Sequence, residues 1–212
     1  MKSSAETMTD TAATPVLPNT FIYLLGMPGT GKYTVSQIIA AKAGFRIVDN
    51  HLINNPVFTV VRVDGKTALP REIWGYSAEI GRVVFDCIRT LSPPHFSFVL
   101  TNALYEDDLQ DHEWFAQIAA LAADRGALFV PVRLVLSDTE EHRRRVTDPQ
   151  REQRMKETDP AAPERYAQRA VLRPNHPHVL TLDVTNLSAE DTAEKILSHA
   201  AALHPAARAN GN

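Results

Sequence analysis

The residues best suited to chemistry crowd into GMPGTGKYT, residues 26–34. Gly26 and Gly31 are separated by four residues, and Lys32 follows at once, the spacing of a phosphate-binding loop. Glycines at 26, 29 and 31 let a backbone wrap closely around phosphate oxygens with successive amides turned inward. The start of a following helix adds positive potential at the same place. Lys32 is then predicted over the β- and γ-phosphates of a nucleotide, with ATP the first candidate. Thr30 offers a hydroxyl near those phosphates. The strict motif puts Ser or Thr directly after the lysine, whereas this chain has Tyr33 and delays the hydroxyl to Thr34. Thr34 is the candidate Mg2+ ligand, directly or through water, and otherwise a hydroxyl bonded to backbone in a first helical turn. Tyr33 packs on the helix or touches the nucleotide. A tight turn that holds nothing is the plain alternative for the whole stretch.

Asp49 ends the apolar run FRIV, where the carboxyl ends of parallel strands gather around a ligand crevice. A carboxylate there can orient or deprotonate an acceptor hydroxyl, or merely cap the next helix. His51 follows as a pocket residue or a hydrogen-bonded loop residue, and Arg71 is a candidate for an anionic acceptor or a solvated cation. FVLTNAL places Thr101 and Asn102 where many phosphate-loop proteins carry a magnesium-organising aspartate; Asn102 could orient water or the acceptor. In HRRRVTDPQREQRMKETDP, the span from Arg143 to Lys156 sets six cations (Arg143, Arg144, Arg145, Arg151, Arg154, Lys156) against two acids, Asp148 and Glu152. Such a segment suits a lid that offsets phosphate charge and excludes water, though a basic run also suits a solvated surface or a polyanion. His176 and His178 flank Pro177 without the cysteine or acidic spacing of a zinc site.

Five apolar runs must position these residues: 21–25, 45–48, 96–101, 128–136 and 179–184. Helical stretches separate them, at about 32–42, 71–91, 108–125, 139–147 and 163–172, with a last one after Ser188, which can cap it ahead of Asp191. Strands without strict polar alternation, each followed by a helix, predict an α/β protein: a parallel five-stranded sheet covered on both faces, three layers in all. Pro131 argues against a central place for the fourth strand, or for a bulge. Residues 49–58 read as a turn with a short helix, and Asp64-Gly65 marks a loop or small hairpin.

The 212 residues can bury a core of one domain. Residues 1–18 read as a disordered leader, 19–204 as the domain and 205–212 as a flexible tail. A net charge of −3 supplies no global field for nucleic acid or an anionic membrane, and none is expected as a partner. The single cysteine, Cys87, excludes an internal disulfide and is expected to be buried in its helix. No stretch reaches the roughly 18 apolar residues of a membrane helix, and the N-terminus lacks a secretory apolar region, so a cytoplasmic location is expected.

GMPGTGKYT resembles the loop of the adenylate-kinase-like branch of P-loop kinases, where Gly-x-Pro-Gly-x-Gly-Lys-x-Thr is familiar. The order of elements over residues 20–203 is similar to that branch, which includes nucleoside-monophosphate, shikimate and gluconate kinases and chloramphenicol phosphotransferases. The resemblance implies a five-stranded parallel core, an acceptor region at about 50–90, and an arginine-bearing helical lid at about 147–162. It implies an aspartate after the second strand, matched by Asp49, and an arginine near adenine, best matched by Arg145. Arg151 and Arg154 best match lid arginines. The function implied is an ATP- and Mg2+-dependent phosphotransferase acting on a hydroxyl of a small-molecule acceptor, as monomer or homodimer. A nucleoside-monophosphate kinase and a noncatalytic nucleotide-binding regulator are the alternatives. The aspartate-glycine-phenylalanine-proline-arginine segment of adenylate kinases has no counterpart after the third strand.

Overall fold

The structure, a computed structural model, describes residues 17–61, 63–67 and 69–204; of Arg154 only the backbone is described. Five strands form one sheet: β1 (Thr20–Leu25), β2 (Arg46–Asp49), β3 (Phe98–Asn102), β4 (Leu128–Val135) and β5 (Leu180–Asp183). Their order is β2-β3-β1-β4-β5, and every pairing is parallel. All six residues of β1 are buried because β1 lies at the centre with both faces covered. Its alternate side chains feed two cores. Phe21, Tyr23 and Leu25 meet Phe85 and Ile88 of α3 (Glu72–Thr90) and Ile118 and Leu121 of α4 (Leu109–Asp124). Ile22 and Leu24 meet Val35 and Ile39 of α1 (Lys32–Ala43) and Ile196 and Leu197 of α7 (Ala189–Leu203). The three-layer α/β plan expected from the alternation of apolar runs is thus present.

The remaining elements are α2 (Asn50–Phe58), α5 (Thr139–Val146), a 3₁₀ helix at Pro149–Arg154 and α6 (Ala162–Ala167). Side-chain caps start several helices: Asp108 accepts from Gln110 N, Asp138 from Glu141 N, and Ser188 from Asp191 N. Each satisfies an amide that the first helical turn leaves without a partner.

Four expectations need correction. Leu17, assigned to the leader, is 4% exposed and packs in the core, and its carbonyl accepts from Ser97 Oγ. The rest of that leader, 1–16, and the tail 205–212 lie outside the described residues. Pro131 does sit in a strand between two others, yet β4 pairs with β5 only from Val132 onward. Its missing N–H therefore falls where β4 is bonded on one side alone, to β1. Cys87 is exposed, because the buried face of α3 runs through Ile73, Ser77, Gly81, Phe85 and Ile88 and turns Cys87 outward. Finally, α6 stops at Ala167 rather than Leu172. Arg133, on β4, donates Nε to Leu172 O (3.0 Å) and Nη2 to Val171 O (3.3 Å), and Leu172 N donates to Leu104 O (3.0 Å), which holds that stretch extended.

Candidate functional site

The loop from Gly26 to Gly31 leaves β1 at the sheet's centre and enters α1. Three of its positions admit only glycine. A Cβ on Gly26 would lie 2.6 Å from Thr30 Oγ1 and 2.7 Å from Leu134 O, and Gly29 (φ +94°) would meet His142 Cδ2 at 2.9 Å. Gly31 is left-handed (φ +83°) at the N-cap of α1, with open space where a side chain would stand. No side chain caps α1 and no acid occupies its first turn, so its leading amides are left for another acceptor.

Two ties brace the loop from within. Thr30 is buried and donates Oγ1 to Met27 O (2.9 Å), which points its hydroxyl into the loop and away from the phosphate side expected of it. His142 of α5 reaches Pro28 O through Nε2 at 2.6 Å. A carbonyl only accepts, so Nε2 carries the proton, and burial lowers the ring's pKa, keeping it neutral. Lys32 donates Nζ to Gly26 O (2.6 Å) and Met27 O (3.0 Å). Desolvation, then the nearby Lys156 and Arg151 cations, press its pKa down to about 7, with Asp49 opposing.

A cavity of about 640 Å³ opens over this loop. From the loop and α1 come Pro28, Gly29, Gly31, Lys32, Tyr33 and Thr34; from the strand ends come Asp49, Asn50, His51 and Ala103. From α5 and the segment after it come Arg144, Arg145, Thr147, Arg151, Lys156 and Glu157. The volume is that of a site for a nucleotide-sized molecule. Residues drawn from segments more than a hundred positions apart thus share one space.

Asp49 ends β2 in register with Thr101 of β3. It is buried, and Thr101 Oγ1 donates to its Oδ1 at 2.5 Å while accepting from Asn50 N at 3.2 Å. The carboxylate is therefore fixed in aim. His51 Nδ1 lies 3.2 Å from Asn55 Oδ1, and its ring stands edge-on to Phe58 at 6.1 Å. Asn102 departs from expectation: its Oδ1 accepts from Tyr23 Oη (2.9 Å) and Trp114 Nε1 (3.3 Å), and the residue does not line the cavity. One step along a strand reverses the facing, so Thr101 meets Asp49 while Asn102 meets the α4 side. Arg71 is exposed at the start of α3 and likewise stays off the cavity wall.

The basic run divides by partner. Arg143 bridges Glu140 and Glu164, joining α5 to α6. Arg144 binds Glu141 (2.7 Å). Arg145 also binds Glu141 (2.6 Å) and donates Nη2 to Val184 O (2.9 Å) and Thr185 O (3.1 Å), tying α5 to the turn after β5. Arg151 donates Nε to Glu157 O (2.9 Å), and burial lowers its pKa. The side chain of Arg154 is outside the described residues. Lys156, passed over as a site residue in the sequence, holds Nζ 4.9 Å from the Tyr33 ring centroid. Thr158 N bonds Gly65 O (3.0 Å), docking this segment on the turn after α2. The sequence offers Thr101 beside Asn102 without a partner for it, which the β2–β3 register supplies in Asp49, while nothing in the spacing signals the tie between His142 and Pro28.

No protein-family model matches the chain, and no curated protein matches it. Solved structures do. A gluconokinase from Sinorhizobium meliloti 1021 superposes with TM-score 0.58 at 13% identity, covering 92% of this chain and 99% of that one. A sugar kinase from Janibacter sp. HTCC2649 gives 0.57 at 16%, covering 85% and 94%. The Mycobacterium tuberculosis APS kinase CysC, in complex with AMPPNP and APS, gives 0.54 at 16%, covering 86% and 98%. These neighbours are P-loop small-molecule kinases, and at such identities the likeness speaks for the fold: this chain has the five-stranded parallel α/β fold of those kinases.

Proposed function

We propose that the protein is an ATP-dependent phosphotransferase that moves the γ-phosphoryl group to a hydroxyl of a small molecule. The observation that carries this reading is the single cavity in which the glycine loop with Lys32, the buried carboxylate of Asp49, and Arg145 and Arg151 come together. The loop amides and the start of α1 cradle the phosphates. Lys32 leaves the Gly26 and Met27 carbonyls to meet the β- and γ-phosphates, with Arg151 and Lys156 closing from the other wall. Arg145 and the turn it holds after β5 flank the base. Asp49, aimed by Thr101, orients the acceptor hydroxyl or takes its proton. His51 and Asn50 border the acceptor.

The donor set fits Mg2+, which uses one or two protein oxygens and takes the rest from phosphates and water. Thr34 would supply a protein oxygen, leaving Asp49 to the acceptor, and among the described residues no group of three or more His, Cys, Asp or Glu side chains is placed to hold a metal. Bound there, the ion would neutralise phosphate charge. Among the described residues no helix is long and apolar enough to cross a membrane.

The test is a panel of hydroxylated metabolites, sugar acids, nucleosides, nucleoside monophosphates and antibiotics, incubated with ATP and Mg2+ and scored by mass for an added phosphoryl group. Transfer should appear for one class, and Asp49→Asn should lower kcat by about 10²–10⁴-fold while nucleotide affinity stays within about threefold. Nucleotide binding without transfer or hydrolysis across the panel would favour a regulatory binder. Full turnover by Asp49→Asn would remove the proposed base.

A further inference from the structure

A second cavity, of about 230 Å³, lies beside the phosphate loop among β4, α5 and α6. Its walls are Arg133 of β4, Thr139 and His142 of α5, Tyr166 of α6, and the stretch from Arg169 to Arg173. It shares no lining residue with the larger cavity. The loop itself is the partition: Met27 and Thr30 face this side, whereas Pro28, Gly29 and Gly31 face the other.

Three arginines reach this space, and they differ in commitment. Arg169 is paired with Asp107 at 2.6 Å and lies over the Tyr105 ring, 3.6 Å from its centroid. Arg133 is fixed by Leu172 O, Val171 O and Thr181 Oγ1, which use one N–H on each of its three nitrogens. A guanidinium has five, so two N–H groups remain. The Arg173 side chain has no hydrogen-bond or ion-pair partner among the described residues, although its backbone N–H donates to Glu106 Oε2 (2.6 Å). Arg133 also feels Arg173 as a neighbouring like charge, with Glu106 only partly offsetting it. Like charges held beside a cavity, one on an anchored fork with donors to spare, favour an oxyanion that can bridge them.

We propose that Arg133 and Arg173 form a second anion site, which takes a small oxyanion such as a phosphate monoester or dicarboxylate while the nucleotide cavity is filled. Occupancy there bears on the loop through Met27, Thr30 and the His142–Pro28 bond, which stand between the two cavities.

The test is calorimetric titration of the full chain, with AMPPNP and Mg2+ saturating, against inorganic phosphate, glycerol 3-phosphate and malonate in separate arms. One of the three should bind at one equivalent, and the arm that binds identifies the ligand as inorganic, ester or carboxylate. Arg173→Ala, at an exposed side chain without partners among the described residues, should raise its Kd at least about tenfold. Arg133→Lys, which keeps the charge and loses the fork, should weaken it as well, and Lys32→Ala, titrated without nucleotide, should bind it as tightly as the parent chain. Binding in no arm, binding indifferent to Arg173→Ala, or binding abolished by Lys32→Ala would each overturn the proposal. The last outcome would move the anion to the phosphate loop.

Discussion

Lys32 should take up a proton when a nucleotide triphosphate binds, and the amount should rise with pH. Without ligand, burial, Lys156 and Arg151 hold its pKa near about 7. Its charged form is then held by only two carbonyls and the opposing Asp49. Placing a polyanion in the cavity reverses the sign of the local field and returns the pKa toward its ordinary value of about 10.4. With a pKa of about 7, the free lysine carries about 0.9 proton at pH 6, about 0.5 at pH 7 and about 0.1 at pH 8. The bound lysine carries about 1 at all three, so uptake should be about 0.1, 0.5 and 0.9 respectively.

Mg2+ lowers the last ionisation of the triphosphate, so with Mg2+ saturating the upper end of that range reports chiefly the protein. Calorimetry of AMPPNP and Mg2+ binding in buffers of different ionisation enthalpy gives the proton count as the slope of observed against buffer enthalpy. In Lys32→Met the slope at pH 8 should vanish, and any affinity that survives belongs to the loop amides and Arg151. Uptake below about 0.3 at pH 8, uptake that grows as pH falls, or an unchanged slope in Lys32→Met would refute the account of Lys32. A chain that bound no nucleotide would instead remove the proposed function.

Thr101→Val removes a hydroxyl that donates to Asp49 Oδ1; losing a hydrogen bond to a charged group costs about 1.5–3 kcal/mol, so kcat should fall about 10–100-fold while nucleotide Kd stays put. Thr101→Ser should restore turnover, and a matched fall in nucleotide affinity would show that the substitution merely loosened the fold. Gly81→Ala would drive a methyl into the Trp114 ring, which its bond to Asn102 and its packing on Phe85 hold in place. Unfolding in urea should show a loss of about 1–3 kcal/mol, and wild-type stability would refute the close approach of α3 and α4.

The parts of the site that were legible in sequence are those made by neighbours along the chain. The glycine spacing announced its own turn, and Asp49 announced itself by ending an apolar run at the edge where parallel strands converge. Side-chain direction was less accessible. Thr101 and Asn102 are adjacent and polar, and only the pleat, fixed by pairing with β2 on one side and β1 on the other, sends one to Asp49 and the other to Tyr23 and Trp114. Thr30 was misread for a similar reason: its hydroxyl closes a bond three residues back, which spacing toward an outside ligand does not disclose. The arginine run carried charge but no assignment, since its sorting depends on Glu164, Val184 and Thr185, all brought in by the tertiary fold. The early end of α6 depends on Arg133, a cation placed in a strand that otherwise reads as apolar.

Charge around the larger cavity is distributed by origin, and that distribution sets the polarity of the proposed reaction. Five cations, Lys32, Arg144, Arg145, Arg151 and Lys156, line it from the loop, α5 and the segment beyond, against two acids there, Asp148 and Glu157, whereas Asp49 stands at the β2–β3 edge with Asn50, His51 and Ala103. A triphosphate lowers its energy by lying with its charge toward the cations, which leaves the terminal phosphoryl group as the part nearest Asp49. In the proposed reaction the buried carboxylate would repel that group until an acceptor hydroxyl stood between them, donating to Asp49 and turning a lone pair toward phosphorus. Asp49 would then perform two tasks with one charge: disfavouring the approach of phosphate without an acceptor, and rewarding an acceptor that fills the gap. The bond from Thr101 matters to both, because a carboxylate free to rotate would meet the phosphates or the solvent instead.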